Sequence, residues 1–136
     1  MTFTVIGLPA PQGSKKFVGV RAGRGIMIES SKNVKPWRDS VTCAAMEAGH
    51  GGAALDCPCS LRVAFYLPRP KSAKKETSPR RKPDLDKLLR STMDALTAAG
   101  IWADDSRVVS VIATKSFADL WGHRVPGAAI TVETTR

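Results

Sequence analysis

Apolar and polar side chains alternate over residues 1–8, where Phe3, Val5 and Ile6 favour an extended chain, and the run ends at Pro9-Ala10-Pro11-Gln12-Gly13. The pattern predicts a strand and then a turn. Residues 16–20 and 25–29 flank Arg21-Ala22-Gly23-Arg24, which reads as a hairpin of two short strands. From Val34 the period lengthens to that of a helix. Trp37, Val41, Ala44, Ala45 and Ala48 share one face, Pro36 suits the first turn and Gly49 the stop. A helix over residues 35–48 follows, with Trp37 as a core anchor rather than a reacting group.

Alternation returns at Ser60–Leu67, with Leu61, Val63, Phe65 and Leu67 on the side to be buried. Leu85, Leu88, Leu89, Met93 and Leu96 mark a second helix, from about Asp84 to Gly100. Val108, Val109, Val111 and Ile112 begin a strand that runs through Phe117, and Ala128–Val132 forms another. The order β, ββ, α, β, α, β, β alternates too little for a doubly wound fold. It predicts one α+β domain over residues 1–136, a mixed β-sheet with two main helices packed on one face.

Composition adds a partner class to this outline. A chain of 136 residues, 43% hydrophobic and 24% charged, can bury a core without disulfide or metal staples. Its 21 Lys and Arg outnumber 12 Asp and Glu, a net charge of +9 that attracts polyanions and puts nucleic acid first among partners. Cys43, Cys57 and Cys59 form an odd set with one Cys-Pro-Cys too tight for a zinc knuckle, and His50 and His123 have no ligand-like spacing. Reduced thiols, a cytoplasmic location and no membrane partner are expected, since neither a secretory leader nor a spanning apolar run is visible.

The charge is concentrated. Residues 69–90 hold nine basic side chains against three acidic ones, and the stretch 68–83 has four prolines and no periodicity. A mobile basic loop at about 68–83 is expected, with Lys71, Lys74, Lys75, Arg80, Arg81 and Lys82 holding phosphates; Lys15 and Lys16 are further candidates. Against this background Asp84 and Asp86 are out of place, because carboxylates repel a phosphate unless a cation lies between them. If Asp84 is an extended N-cap after Pro83 and Asp86 lies in the first turn, the two can converge on one ion. Ordinary capping and a favourable helix-dipole interaction explain the same spacing, so both readings stand. Asp104-Asp105, after the helix, reads by itself as a polar turn.

Taken together, Asp84-Leu85-Asp86, Asp94-Ala95-Leu96 and Gly100-Ile101-Trp102-Ala103-Asp104-Asp105, followed by Val108-Val109, resemble the RusA family of Holliday junction resolvases. Weaker similarity covers Gly7–Lys15 and Val34–Arg38. The resemblance implies a homodimeric nuclease, often phage or prophage encoded, that cuts branched DNA such as the four-way junction. It also implies Mg²⁺, for which Mn²⁺ can substitute, held by Asp84, Asp86 and Asp105. The metal would activate water for attack on phosphorus and offset the developing charge.

The family's basic catalytic position, usually lysine, falls on Arg90, which keeps the charge but does not readily give up a proton. Lys87 reads as a surface ion pair, and Asp104 as a neighbour that supports Asp105. The alternative is a non-catalytic basic DNA- or RNA-binding module whose acids only cap a helix.

Overall fold

The computed structural model describes residues 1–13, 15–21, 24–29, 32–49, 51–122 and 125–135, with backbone only for 15–21, 24–29 and Trp121. His50 and His123 lie outside the described residues, as do the two turn residues of the expected hairpin, Ala22 and Gly23. The strands are β1 (Thr2–Ile6), β2 (Lys15–Arg21), β3 (Arg24–Glu29), β4 (Cys59–Leu67), β5 (Val108–Phe117) and β6 (Gly127–Thr134). Two helices, α1 (Val34–Gly49) and α2 (Leu85–Ala98), join them. This is the α+β order that the hydrophobic pattern predicts.

Four strands form one mixed sheet in the order β1-β6-β4-β5, while β2 and β3 pair as a separate antiparallel hairpin. Within the sheet β4 and β5 are parallel, and β6 runs antiparallel to both β1 and β4. A parallel pair needs a crossover, and α2 supplies it: the chain leaves β4, turns through 68–83, descends α2 and re-enters the sheet at β5. The start of α2 therefore lies at the Leu67–Phe117 end of the β4–β5 pair, and the end of α2 at the Cys59–Val108 end.

Alternate residues of β4 face the helices. Leu61, Val63, Phe65 and Leu67 are buried there with Val5, Ile130 and Val132 from neighbouring strands and Trp37, Val41, Leu88 and Leu96 from the helices. Each such side chain stabilises the fold by about 1.5–3 kcal/mol through removal from water. Trp37 is the anchor its pattern predicts: it is buried, and its Nε1 donates to Thr92 Oγ1 at 3.1 Å, locking α1 to α2. Thr92 and Ser91, buried and polar, donate to the Leu88 carbonyl one turn back at 2.9 and 3.0 Å, so neither hydroxyl is stranded.

The basic loop at 68–83 makes hydrogen bonds at several points. Ala73 is buried within a short 3₁₀ turn at Lys71–Ala73, and Arg69 donates to the Ala73 and Glu76 carbonyls and to Asp119. Lys115 of β5 caps the end of the loop, its Nζ donating to the Arg81 and Pro83 carbonyls at 2.9 Å each. A run of cations and prolines lacks a periodic core pattern, and its backbone carbonyls find their partners in side chains of the loop and of β5 instead.

Candidate active site

Asp84 is the N-cap of α2, with φ −69° and ψ 137°, and its carbonyl accepts from Leu88 N at 3.1 Å. Its carboxylate makes no capping hydrogen bond and instead lies 3.6 Å from Lys87 Nζ. The simple capping role is thus not what the side chain does. Asp86 follows in the first turn, exposed like Asp84, where the helix N-terminus favours negative charge. Two carboxylates stand together at the helix start, beside the basic loop.

Arg90 lies one turn further on. The segment Ala10–Gly13 runs along the same helix: Ser91 Oγ donates to the Ala10 carbonyl at 2.6 Å, Gln12 N to the Lys87 carbonyl at 3.0 Å, and Gln12 Nε2 to Asp94 Oδ2. Gly13, at φ +105°, passes so close to Arg90 that a β-carbon there would stand 3.0 Å from its Nη1. This packing holds the exposed guanidinium on the flank of the Asp86 end of the helix.

At the other end, α2 closes with Gly100 in the left-handed region at φ +75°, the Ile101 amide reaching back to the Leu96 carbonyl at 3.1 Å. The chain then crosses Leu55, which exchanges backbone hydrogen bonds with Ile101 and Ala103 at 2.9 Å. Trp102 is thereby buried, and its Nε1 donates to Thr97 Oγ1 at 2.7 Å and to Asp105 Oδ1 at 3.1 Å. Thr97 Oγ1 donates to the same carboxylate oxygen. Asp105 is thus held half-buried by two donors on one oxygen. Asp104 plays a different part. Its carboxylate caps the turn at Asp105–Arg107, accepting from Ser106 N at 3.1 Å, and this bond lowers its pKa.

Thr97, which fixes Asp105, is eleven residues along α2 from Asp86, a rise of about 16 Å at 1.5 Å per residue. The three acids therefore do not meet within one chain. Among the described residues no three His, Cys, Asp or Glu side chains gather in a group able to hold a metal ion. In kind the donors suit a hard divalent cation, which takes carboxylate oxygens, but among the described residues one chain supplies fewer than three at either place.

The candidate phosphate contacts divide into two groups. Lys71, Lys74, Lys75 and Lys82 are exposed, and Arg80 and Arg81, exposed as well, share Glu76, at 3.4 and 3.0 Å, with Arg81 also donating to Ser72 Oγ at 2.8 Å. Lys15 and Lys16 open β2, in register with Glu29 and Ile28. Lys87 makes the ion pair with Asp84 that its spacing predicts. Sequence reasoning does not single out Thr97, Trp102 or Gly13, although a tryptophan three residues before a carboxylate is visible in the motif.

The family model for endodeoxyribonuclease RusA matches residues 7–133. The chain belongs to the RusA family. A crossover junction endodeoxyribonuclease RusA of Shigella sonnei (strain Ss046) is 32% identical over 108 residues, covering 76% of this chain and 75% of that one. That of Enterobacteria phage 82 is 30% identical over 104 residues, with 76% and 75% covered. The RusA of Escherichia coli (strain K12) is 31% identical over 108 residues, with the same coverage. The RusA match takes in the 9–13 loop, both ends of α2 and the whole of β5, the elements that carry the acids and Arg90.

Proposed function

We propose that the protein is a structure-selective endodeoxyribonuclease that resolves four-way junctions and other branched DNA by paired nicks. The observation that carries this reading is the uncapped Asp84 carboxylate beside Asp86, set in a basic surface of a RusA-family chain. The relatives' names, crossover junction endodeoxyribonucleases, support the substrate class. The phage 82 relative is in keeping with recombination of phage or prophage DNA in a host cytoplasm.

Asp84, Asp86 and Asp105 would hold Mg²⁺, with Mn²⁺ as a substitute. When bound, the ion would supply an activated water and neutralise charge on the scissile phosphate. Since α2 keeps Asp105 far from the other two, the set is complete only when a second copy brings its own Asp105 to Asp84 and Asp86. β5 is suited to do this. It is an edge strand, and Val109, Val111 and Ile112 are 63%, 39% and 55% exposed on it. A two-fold antiparallel pairing of β5 with its copy sets the Val108 end, three residues after Asp105, against the Phe117 end, where Lys115 holds the Pro83 carbonyl. Two equivalent sites then face the symmetric strands of a junction.

Arg90 stabilises charge on the phosphate, while Lys71, Lys74, Lys75 and Lys82 hold flanking phosphates without reading sequence. The test is incubation with a labelled mobile four-way junction. Paired nicks across the branch point in Mg²⁺, absent with chelator and with Asp84→Asn although binding persists, are expected. Binding with no cleavage by the unaltered protein in either metal would instead identify a non-catalytic binding module.

A further inference from the structure

Between the 9–11 segment, the basic loop and the end of β5 lies a cavity of about 370 Å³. Its lining is mostly apolar and includes the rings of Pro9, Pro68, Pro70 and Pro79, with Glu76 and Arg81 as charged members, and it takes in Lys82 and Pro83, directly before Asp84. Phe117 and Arg69 form a further wall. None of the chemistry assigned to the acids uses this space.

Arg69 is an unusual cation for a DNA-binding surface. Its Nε and Nη2 donate to the two Asp119 oxygens at 2.8 and 3.2 Å, and its Nη1 donates to the Ala73 and Glu76 carbonyls. Four of the five in-plane donors of a guanidinium are thereby spent, which removes the fork that clamps a phosphate. The buried ring of Phe117 covers one face, with Cζ 4.1 Å from the ring centroid. Arg69 lines the cavity with its side chain 17% exposed, and the face turned from Phe117 is the part that these hydrogen bonds do not use. A rigid guanidinium plane among proline rings fits a flat, π-rich group, and in DNA that group is the base rather than the sugar or phosphate.

We propose that this cavity receives the unstacked base of a nucleotide next to the scissile phosphate, stacked on the face of Arg69 turned away from Phe117. The proposal rests on the nuclease reading above and adds a basis for selecting branched DNA: a base at a branch point unstacks at less cost than one inside a duplex. Exposed Lys82 at the rim, beside Asp84, keeps the backbone of that nucleotide close to the carboxylates.

The experiment uses four-way junctions carrying 2-aminopurine at single positions around the branch point, bound to the full chain in chelator so that nothing is cut. Fluorescence should rise severalfold at one position in each cleaved strand and stay flat in a linear duplex. Leu8→Trp, which puts a larger side chain at a partly exposed lining position and takes no part in the Arg69 hydrogen bonds, should abolish the rise while junction affinity stays within threefold. Arg69→Lys, which keeps charge but loses the plane, should reduce it. An abasic nucleotide at the responsive position should slow cleavage about tenfold. A junction that is bound and cut in Mg²⁺ with no fluorescence rise, or with a rise that survives Leu8→Trp, overturns the base cavity and leaves the nuclease reading standing. Failure to bind or cut any junction overturns the nuclease reading itself.

Discussion

Thr97 donates its hydroxyl proton to Asp105, and by doing so pins that carboxylate to the opposite end of α2 from Asp84 and Asp86. Trp102 donates to the same oxygen from a buried indole, so the orientation of Asp105 is set by two groups that never need to touch DNA. Thr97→Val, nearly the same shape, should lower cleavage about 10–100-fold and raise the Mg²⁺ concentration needed for half-maximal rate. Thr97→Ser should restore both. A merely structural role would lower thermal stability and leave the metal dependence of the surviving enzyme unchanged.

Removing the exposed apolar groups of β5 tests the second copy. Ile112→Lys combined with Val109→Lys places charges on an edge strand without disturbing buried residues, since both positions are exposed. Sedimentation should then report a folded monomer that binds DNA weakly and does not cut it. A monomer that cuts at the unaltered rate would show that one chain suffices.

Arg90→Ala should reduce the single-turnover rate by about 10²–10³-fold, the cost of losing one group that stabilises transition-state charge, with little change in junction affinity. Arg90→Lys should recover most of it. Gly13→Ala should act through the same side chain, because its β-carbon meets Arg90 Nη1 at 3.0 Å and φ +105° is strained for alanine. Its rate defect should be smaller in an Arg90→Lys background, whose shorter side chain gives way, and an equal defect in both backgrounds would count against this steric link.

Under the proposed function the exposed lysines of the loop would set affinity rather than specificity. Changing Lys71, Lys74 and Lys75 to Gln should weaken binding to junctions of any sequence and reduce the slope of log K against log salt by about 0.9 for each phosphate left unneutralised. Arg81→Gln should differ, lowering stability of the loop, because Arg81 is already engaged with Glu76 and Ser72. An unchanged slope for the lysine triple variant would move the DNA path elsewhere.

Many of these elements are legible in the sequence. The leucine spacing of α2 locates it within a residue or two, and Pro83 before Asp84 correctly implies an extended N-cap with Asp86 in the first turn. Strand alternation on β4 and the valine run of β5 likewise name their elements. The motif suggests that three acids converge, and within one chain they do not, for a reason the helix itself contains: fourteen helical residues hold its two ends far apart. Arg69 reads locally as one more solvated charge of the loop, because nothing near it shows that Asp119, fifty residues on, meets it. Hydrogen bonds between such distant positions leave no periodic trace.

In the proposed dimer each active site takes Asp84 and Asp86 from one copy and Asp105 from the other. Asp84→Asn and Asp105→Asn proteins should each be inactive, and mixing them through a denaturation and refolding step tests this division of ligands. A mixed dimer then has one site with neither change, so the mixture should regain about a quarter of the unaltered nicking capacity, as single nicks per junction. A refolded mixture that forms dimers, binds junctions and leaves them uncut would mean that every site draws all its acids from one chain.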